Sequence, residues 1–258
     1  MSWERIRQLS GVLLAALALL FLARPGTAMA AEDLLATLDE VDRLWFGQQS
    51  TASVTMIVKT TRYERTLQLT YWVDGKDKTL IRIDAPAREK GNATLKIGPD
   101  IYNYLPKIDR TVKVSPALRS DSWMGSHFTN DDLLKATRFS GDYDAKLLSR
   151  TGQGLSEIWT IELTPKPRTP VPWSKVLMTL EKSSAIPSSQ MFYDEKGALA
   201  RTVTFSDVKE LGGRRAPQTV RITPADKPEE HTELRYDSID RAVKFEESFF
   251  SLSKLKHQ

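Results

Sequence analysis

The sequence predicts a mainly β protein built on a long antiparallel meander, and three observations support this prediction. After about residue 50, apolar residues alternate with polar ones along many short segments, which is the period of a strand with one buried face. Turn signals separate these segments, beginning with Asp74-Gly75, a pair typical of tight hairpins. Helical spacing is confined to two substantial stretches. The pattern favours a sandwich or a barrel, and alternation alone does not separate the two.

The first thirty residues have the layout of a secretory signal peptide. Arg5 and Arg7 precede an apolar run over residues 11–23, and Ala28-Met29-Ala30 supplies a small-x-small cleavage site. The run is shorter than the roughly 20 residues that span a bilayer. We therefore predict cleavage after Ala30 and a single folded domain over residues 31–258.

Composition limits the compartment and the partners. The chain has no cysteine, so its stability must come from a packed core, and no thiol is available for lipidation. Together with the leader, this predicts the periplasm of a Gram-negative cell, with secretion to the medium as the alternative. The formal net charge of +4 lies partly in the leader, so it gives no electrostatic argument for a nucleic-acid partner.

The helical spacing and the two-residue alternation assign the helices and strands in chain order. Apolar residues at Leu34, Leu38, Val41 and Trp45 predict an amphipathic helix over residues 31–48 that ends near Gly47. A second helix is predicted near 130–138, and 245–255 fits a last short helix or strand. Strands are predicted at 54–58, 67–73, 80–83, 93–97, 101–105, 111–114, 145–149, 157–163, 175–180, 189–193, 199–205, 218–222 and 232–236.

The stretch SHFTNDD (126–132) contains the residue types of a hydrolase site, but it is interpreted as the start of a helix. Thr129 fits an N-cap, Asp132 can return a bond to it, and Phe128 with Leu133 fits a hydrophobic staple. Ser126 and His127 are adjacent, so their side chains point apart and one is a poor base for the other. A ligand contact is the second alternative and catalysis the third.

No other stretch predicts a catalytic or metal site, and no cofactor is expected. Glu229, Glu230, His231 and Glu233 lie close together, but in a strand only His231 and Glu233 share a face. Two ligands do not make a zinc site. The cluster is therefore interpreted as the solvated face of a strand.

Three segments carry a family resemblance: RTLQLTYWVDGKDKTLIRIDAP (65–86), KGNATLKIGPDIYNYLPKIDRTVKV (90–114) and SWMGSHFTNDDL (122–133). They resemble the LolA-like family of outer-membrane lipoprotein-sorting proteins, and in particular its branch that accompanies exporters of the RND (MMPL-like) type. The resemblance runs from about Trp45 to Tyr143, and the strand pattern is compatible with it as far as the C-terminus.

The resemblance implies a curved, incompletely closed antiparallel β-barrel of about 11 strands, with helices covering an apolar cavity. It also implies a monomeric periplasmic carrier of lipoprotein acyl chains or other lipids. Such a carrier would receive lipid from an inner-membrane RND-type exporter and pass it to an outer-membrane acceptor. It would need no cofactor and no catalytic residue.

Many aromatic and methionine side chains, which suit a deformable apolar pocket, can be assigned to the cavity by alternation. An error of one residue in a strand would move its whole set to the other face. Trp123, Met124, Phe128 and Leu133 are the predicted lid. The predicted cavity residues are Met56, Leu69, Tyr71, Ile81, Leu95, Trp159, Met178 and Met191.

Two other functions stay open at this point. The same fold could serve as a periplasmic sensor that detects displaced lipids or lipoproteins and reports to a membrane partner. Such sensors add a second domain, for which this chain is short. An enzyme is the third possibility, and it would need His127 in a catalytic role.

Overall fold

One antiparallel sheet dominates the computed structural model, which describes residues 26–45, 49–134, 138–169 and 171–256. The α-helices in these residues are α1 (Gly26–Trp45), α2 (Asn130–Leu134), α3 (Phe139–Asp142) and α4 (Leu252–Lys256). The strands are β1 (Ser50–Lys59), β2 (Glu64–Asp74), β3 (Lys78–Ala85), β4 (Ala93–Ile97), β5 (Asp100–Leu105), β6 (Arg110–Lys113), β7 (Tyr143–Thr151), β8 (Ile158–Pro165), β9 (Lys175–Glu181), β10 (Ile186–Tyr193), β11 (Leu199–Glu210), β12 (Arg215–Pro224) and β13 (His231–Asp240).

The predicted antiparallel meander is confirmed, with thirteen strands in the described residues where about 11 were expected. Each predicted strand segment overlaps one observed strand. The Asp74-Gly75 signal marks the turn between β2 and β3, and Gly75 adopts a φ of +62° that a side chain would disfavour. The short final segment is helical, as α4, and not a strand.

The sheet is open because its two edge strands do not pair with each other. Its order is β6-β5-β4-β3-β2-β1-β13-β12-β11-β10-β9-β8-β7, so β1 and β13 join the two halves at the centre. The edges β6 and β7 are consecutive in the chain, and the segment between them carries α2 and α3. Charged residues such as Arg110 and Lys113 protect the β6 edge from pairing with another chain.

The sheet curls around its own inner face. Strands β4 and β10 are seven places apart in the order, which in a flat sheet would separate them by about 34 Å at the usual strand spacing. Lys96 of β4 and Gln190 of β10 nevertheless line one cavity of about 350 Å³. The incompletely closed architecture predicted from the resemblance is therefore present.

The main hydrophobic core lies on the inner face of the sheet, next to this cavity. It contains Met56 of β1, Trp159 of β8 and Met178 of β9, all fully buried. Helix α1 packs against it through Leu34, Leu38 and Val41, which are the residues that the helical spacing predicts. The side chain of Trp45 and residues 46–48 lie outside the described part, so the predicted end near Gly47 is not tested.

A second cluster covers part of the outer face. Leu80 and Leu95 pack there against Phe250 and Leu255 from the C-terminal segment. The buried guanidinium of Arg82 donates hydrogen bonds to the carbonyls of Lys254 and Leu255, both at 3.2 Å. The C-terminal segment is thus attached to the outside of the sheet, and it leaves the inner face free.

The predicted signal peptide falls mostly on residues that the structure does not describe. Residues 1–25 lie outside the described part, and α1 begins at Gly26, before the predicted cleavage site after Ala30. None of the described helices combines the length and apolarity needed to cross a membrane.

The SHFTNDD stretch is a helix start, as predicted. The backbone N–H of Thr129 donates to Asp132 Oδ2 at 2.8 Å, and the N–H of Asp132 donates to Thr129 Oγ1 at 3.1 Å. This reciprocal pair is a capping box at the start of α2. The predicted extension to Arg138 is wrong, because Arg138 has extended backbone angles and precedes α3.

Ser126 and His127 make separate contacts, which agrees with the argument against a catalytic pair. The Ser126 hydroxyl donates to the carbonyl of Trp123 at 2.7 Å. The His127 ring lies 2.8 Å from Thr232 Oγ1 through Nδ1 and 3.3 Å from Glu230 Oε2 through Nε2. His127 therefore ties the segment before α2 to the start of β13.

The interpretation of residues 229–233 as a solvated face is wrong for both Glu230 and Glu233. Both are buried, at 7% and 5% exposure. Glu230 accepts hydrogen bonds from the N–H and hydroxyl of Thr61, and Glu233 pairs with Arg221 and Arg235. Sequence alternation could not show the contacts with Thr61 and Arg221, because both residues lie outside β13.

The segment between β6 and β7, which carries α2 and α3, is called the covering segment below. A buried carboxylate connects α1 to this segment, and removal of the carboxylate tests that connection. Asp42 accepts hydrogen bonds from the N–H groups of Phe139 and Ser140, at 2.9 and 3.1 Å. Burial raises the pKa of Asp42, although these bonds oppose the shift. We expect Asp42→Ala to lower the free energy of unfolding in urea by about 1–3 kcal/mol, because both donors lose their acceptor.

Asp39→Ala is the matched control, because Asp39 lies on the same helix and its polar contact among the described residues is a 3.9 Å exposed pair with Arg138. Its expected effect is below about 0.5 kcal/mol. Equal effects of the two substitutions would show that Asp42 does not hold α3.

Glu230 gives a pH-dependent prediction. The N–H of Thr61, together with the His127 and Thr61 side chains, holds the pKa of Glu230 below its ordinary value of 4.5. Its contribution to stability is therefore complete above that ordinary value and is lost as pH falls through the lower folded value. Glu230→Gln should be less stable than wild type at pH 7, and the difference should shrink in unfolding curves measured below about pH 4.5.

Glu229→Gln is the control, because Glu229 is an exposed neighbour of Glu230. Its unfolding curves at pH 7 and below about pH 4.5 should match those of the wild type. A Glu230→Gln deficit that is constant across this pH range would contradict the assignment.

Candidate functional site

The candidate site is the cavity of about 350 Å³ inside the curled sheet. Strands from both halves of the sheet form its walls, and α2 with Phe128, two residues before it, covers one side. The sequence alternates along each strand, so every second side chain points inward. The apolar and aromatic residues of the wall are Tyr71, Val73, Ile81, Phe128, Leu133, Phe192, Val203, Phe205, Val220, Ile222, Leu234 and Tyr236.

A smaller number of polar residues interrupts this apolar wall. Most of them lie at two places: the end of the β2–β3 hairpin, and the strip where β10 and β11 meet α2. They are Lys76, Thr79, Thr94, Lys96, Asp132, Gln190 and Arg201. An apolar cavity with a few placed polar groups is the usual composition of a small-molecule binding site.

Tyr71, Ile81, Phe128 and Leu133 are the predicted residues that line the cavity. Four others, Met56, Leu69, Trp159 and Met178, lie in the inner core with at most 1% exposure. They support the wall but do not border the open space.

Two predicted cavity residues lie on the other face of the sheet. Leu95 packs in the outer cluster, because its neighbours Thr94 and Lys96 take the inward positions of β4. Met191 lies between Gln190 and Phe192, which both line the cavity, so Met191 points outward. Each of these strand assignments was wrong by one residue.

Trp123 and Met124 belong to the covering segment but do not border the cavity space. Trp123 is 2% exposed in the inner core, and its Nε1 donates to Thr94 Oγ1 at 3.0 Å. Met124 is partly buried against the same core at a φ of +51°. Its carbonyl accepts a hydrogen bond from Arg65 Nη2. These contacts attach the covering segment to β2 and β4.

An ion pair holds α2 against the opposite wall. Arg201 donates to both carboxylate oxygens of Asp132, at 2.7 and 2.8 Å. Burial would raise the pKa of Asp132, but the Arg201 hydrogen bonds and charge outweigh it, so the pKa lies below its ordinary value. The guanidinium also stacks on Trp173 and Phe192, with centroid distances of 4.6 and 4.8 Å.

The cavity continues towards the end of α1. A smaller space of about 80 Å³ shares Tyr71, Val73 and Tyr236 with the main cavity and is also lined by Leu44 and Arg241. Burial raises the pKa of Tyr236 to about 12, so its hydroxyl stays protonated at neutral pH. The two phenols therefore add hydrogen-bonding groups to the wall without adding charge.

Sequence reasoning missed the polar side of the site. Lys96, Gln190 and Arg201 were assigned no role in the cavity, because charged and amide residues in strands usually face water, and Asp132 was assigned only to the helix cap. The pairing of Asp132 with Arg201 is also invisible in the sequence, since the two residues are 69 positions apart. The alternation along β4 allowed two assignments, with either Leu95 or its neighbours Thr94 and Lys96 facing inward. The aliphatic Leu95 was preferred for the inward position, so Lys96 was placed on the outer face.

The cavity offers no metal centre in the described part of the chain. Nowhere in those residues do three or more histidine, cysteine, aspartate or glutamate side chains come together in a way that could hold a metal ion. Among the charged groups of the wall, Asp132 and Arg201 pair with each other, Lys76 is exposed and Lys96 is buried.

Solved structures share this fold over most of their length. A domain named for outer-membrane lipoprotein sorting, from Vibrio parahaemolyticus, is 26% identical, with a TM-score of 0.72 over 88% of this chain and 99% of that chain. A DUF1329 family protein from Desulfovibrio piger is 20% identical (TM-score 0.76; 87% and 98% covered). A LolA superfamily protein from Nitrosomonas europaea is 23% identical (TM-score 0.69; 85% and 97% covered).

Comparison by sequence gives a family match as well. No curated protein matches the sequence. Residues 75–257 match the model of a family described as uncharacterized protein-like. The matched range runs from the β2–β3 turn to the C-terminal segment and includes most of the cavity wall. The chain therefore belongs to this family, and its fold is that of the LolA-superfamily lipoprotein-sorting proteins.

Proposed function

We propose that the protein is a periplasmic carrier that encloses the acyl chain of a lipid or lipoprotein in its cavity. The observation that carries this proposal is the apolar space of about 350 Å³ inside an open sheet, covered by α2. That volume lies within the usual range for small-molecule sites. The walls are formed by side chains such as Val220, Ile222 and Leu234, which suit an alkyl chain.

The energetics of such a cargo explain why a cavity is needed. Burial of an acyl chain is worth about 0.8 kcal/mol per methylene, so a chain of about fifteen methylenes holds about 12 kcal/mol. A lipid of this kind does not cross water unaided. A carrier must cover the chain and still release it to a better site, which requires binding and no chemical step.

The likeness to a domain named for outer-membrane lipoprotein sorting supports a role between the two membranes. The resemblance of residues 65–86, 90–114 and 122–133 to the RND-associated branch extends this proposal to the partners. An inner-membrane exporter of the RND type would deliver the lipid, and an outer-membrane acceptor would receive it. The carrier would act as a monomer in the periplasm after removal of its signal peptide.

The gate of this carrier would be α2 and the segment before it. Phe128 and Leu133 form part of the cavity wall, so movement of α2 would open the space to solvent. The Asp132–Arg201 pair is the contact that holds α2 to β11. Movable covers of this kind control entry and release in many binding sites.

The proposal predicts that the purified protein contains lipid. Organic extraction of protein isolated without detergent, followed by mass spectrometry, should release a phospholipid or a lipoprotein fragment in near-stoichiometric amount. Val203→Trp should abolish this signal, because Val203 lines the cavity and the indole would occupy it. Thr204→Trp is the matched control, since Thr204 is exposed on the other face of β11.

An empty extract from the wild-type protein would argue against the carrier. So would equal lipid content in the two tryptophan variants, because cargo bound outside the cavity would not distinguish the two faces of β11.

The gate can be tested through Arg201. Arg201→Met removes the ion pair but leaves the capping box of α2 in place. We expect uptake and release of the neutral probe N-phenyl-1-naphthylamine to accelerate about tenfold in stopped-flow fluorescence, corresponding to about 1.4 kcal/mol less resistance to opening.

The control is Arg221→Met, which breaks an arginine–glutamate pair on the outward side of β12. Its exchange rate should equal that of wild type. If Arg201→Met exchanged the probe no faster than Arg221→Met, α2 would not be the gate.

A further inference from the structure

A buried lysine lines the cavity, and the carrier role described above gives it no function. Lys96 is 4% exposed on the inner face of β4. Lysine is rarely buried unless it is paired. Its neighbours in the sheet are Thr79 of β3 and Ile101 of β5, and neither carries a charge.

The ammonium group of Lys96 is only partly satisfied by the protein. Its Nζ donates to the carbonyl of Lys76 at 2.5 Å. In the described chain no carboxylate lies within salt-bridge distance of it. Burial lowers the pKa of Lys96, and the more distant charge of Asp77 opposes this shift without cancelling it.

The other charged groups of the main cavity are paired or exposed to water, and Arg241 borders only the smaller space. Arg201 and Asp132 form a bidentate pair with each other. Lys76 is exposed at the hairpin turn, where water solvates its charge. Lys96 is therefore the cation of the wall that gains most from an anion inside the cavity, because burial of an uncompensated ammonium is costly.

The position of Lys96 gives the cavity a direction. Its hydrogen bond to Lys76 places the ammonium at the end of the β2–β3 hairpin, where Lys76 and Asp77 are exposed. Apolar residues of β12 and β13, including Val220, Ile222 and Leu234, form the wall away from this turn. An elongated amphiphile would thus lie with its polar end near the hairpin.

We propose that the cavity selects acyl lipids that end in an anionic head group, a carboxylate or a phosphate, and that Lys96 binds this head group. The inference rests on the proposed carrier function and specifies its cargo. A charge-assisted hydrogen bond to the ammonium would replace the water that Lys96 loses on burial. Neutral lipids would fill the same apolar space but leave the ammonium unpaired.

Displacement of N-phenyl-1-naphthylamine by three ligands with the same oleoyl chain tests this proposal. They are oleate, oleoyl lysophosphatidic acid and monoolein, each kept below its aggregation concentration at pH 7.5. The wild-type protein should bind the two anionic ligands at least about tenfold more tightly than monoolein, as expected for a partly desolvated charge-assisted contact. The tighter of the two anions identifies the carboxylate or the phosphate as the natural chemistry.

Lys96→Met keeps the length of the side chain and removes its charge. This variant should bind all three ligands within about twofold of one another, and its melting temperature should equal or exceed that of wild type, because an apolar residue suits a buried position better than a lysine. Lys78→Met is the matched control. Lys78 lies on the same hairpin, pairs with Asp74 and does not line the cavity. It should keep the wild-type preference.

The outcomes separate this inference from the carrier role. If wild type bound the three ligands equally, or Lys96→Met kept the preference for anions, head-group selection by Lys96 would be refuted while the carrier role stood. If neither monoolein nor the anions displaced the probe, the carrier role itself would fail, and the inference with it.

Discussion

The structure depends on one constraint: the inner face of the sheet is larger than its own side chains can cover. A closed barrel of about eight strands is filled by the residues that point inward, whereas the sheet in the described part of the chain has thirteen strands and does not close. Core residues such as Met56 and Trp159 pack one region of the inner face. The remainder encloses the cavity, and the segment between the two edge strands must cross the opening.

This constraint explains why the covering segment has so many polar attachments. Asp42 holds α3, Asp132 caps α2 and pairs with Arg201, and His127 joins β13. A segment held only by apolar packing would leave the cavity exposed whenever it moved, and it would have no defined closed position. Hydrogen bonds with specific partners give α2 and α3 a fixed closed position, while the apolar contacts of Phe128 and Leu133 remain available to cargo.

The sequence was sufficient for the strands and for the capping box, because both follow from local periods and short-range bonds. It was not sufficient for the face that each strand presents. In β4 the aliphatic residue Leu95 suggested an inward position, yet it packs in the outer cluster with the C-terminal segment. The residues that border the cavity depend on which elements pack outside, and that is long-range information. For the same reason Glu230 and Glu233 were expected to face solvent, although both are buried.

The buried polar groups of the wall are costly for stability, so they are informative about function. Stability alone would favour an apolar residue at Lys96, since its ammonium loses water and gains one carbonyl. Arg201 is different, because Asp132 pairs with its charge and the plane of its guanidinium stacks on the ring of Trp173. The charge of Arg201 is paired within the protein, whereas Lys96 gains a counter-ion only from an anion inside the cavity. The cavity thus has one charged pair that is matched within the protein, Asp132 with Arg201, and one buried cation without a counter-ion in the described residues, Lys96.

The central claim is that an acyl chain lies inside the curled sheet. Its most direct test is a set of isotope-filtered nuclear Overhauser measurements between bound oleate and a deuterated protein with protonated methyl groups. The account predicts contacts from the chain to the methyls of Val220, Ile222 and Leu234 on the inner face, and none to Leu80 or Leu95 in the outer cluster. Contacts to the outer methyls, or none to the inner ones, would contradict it.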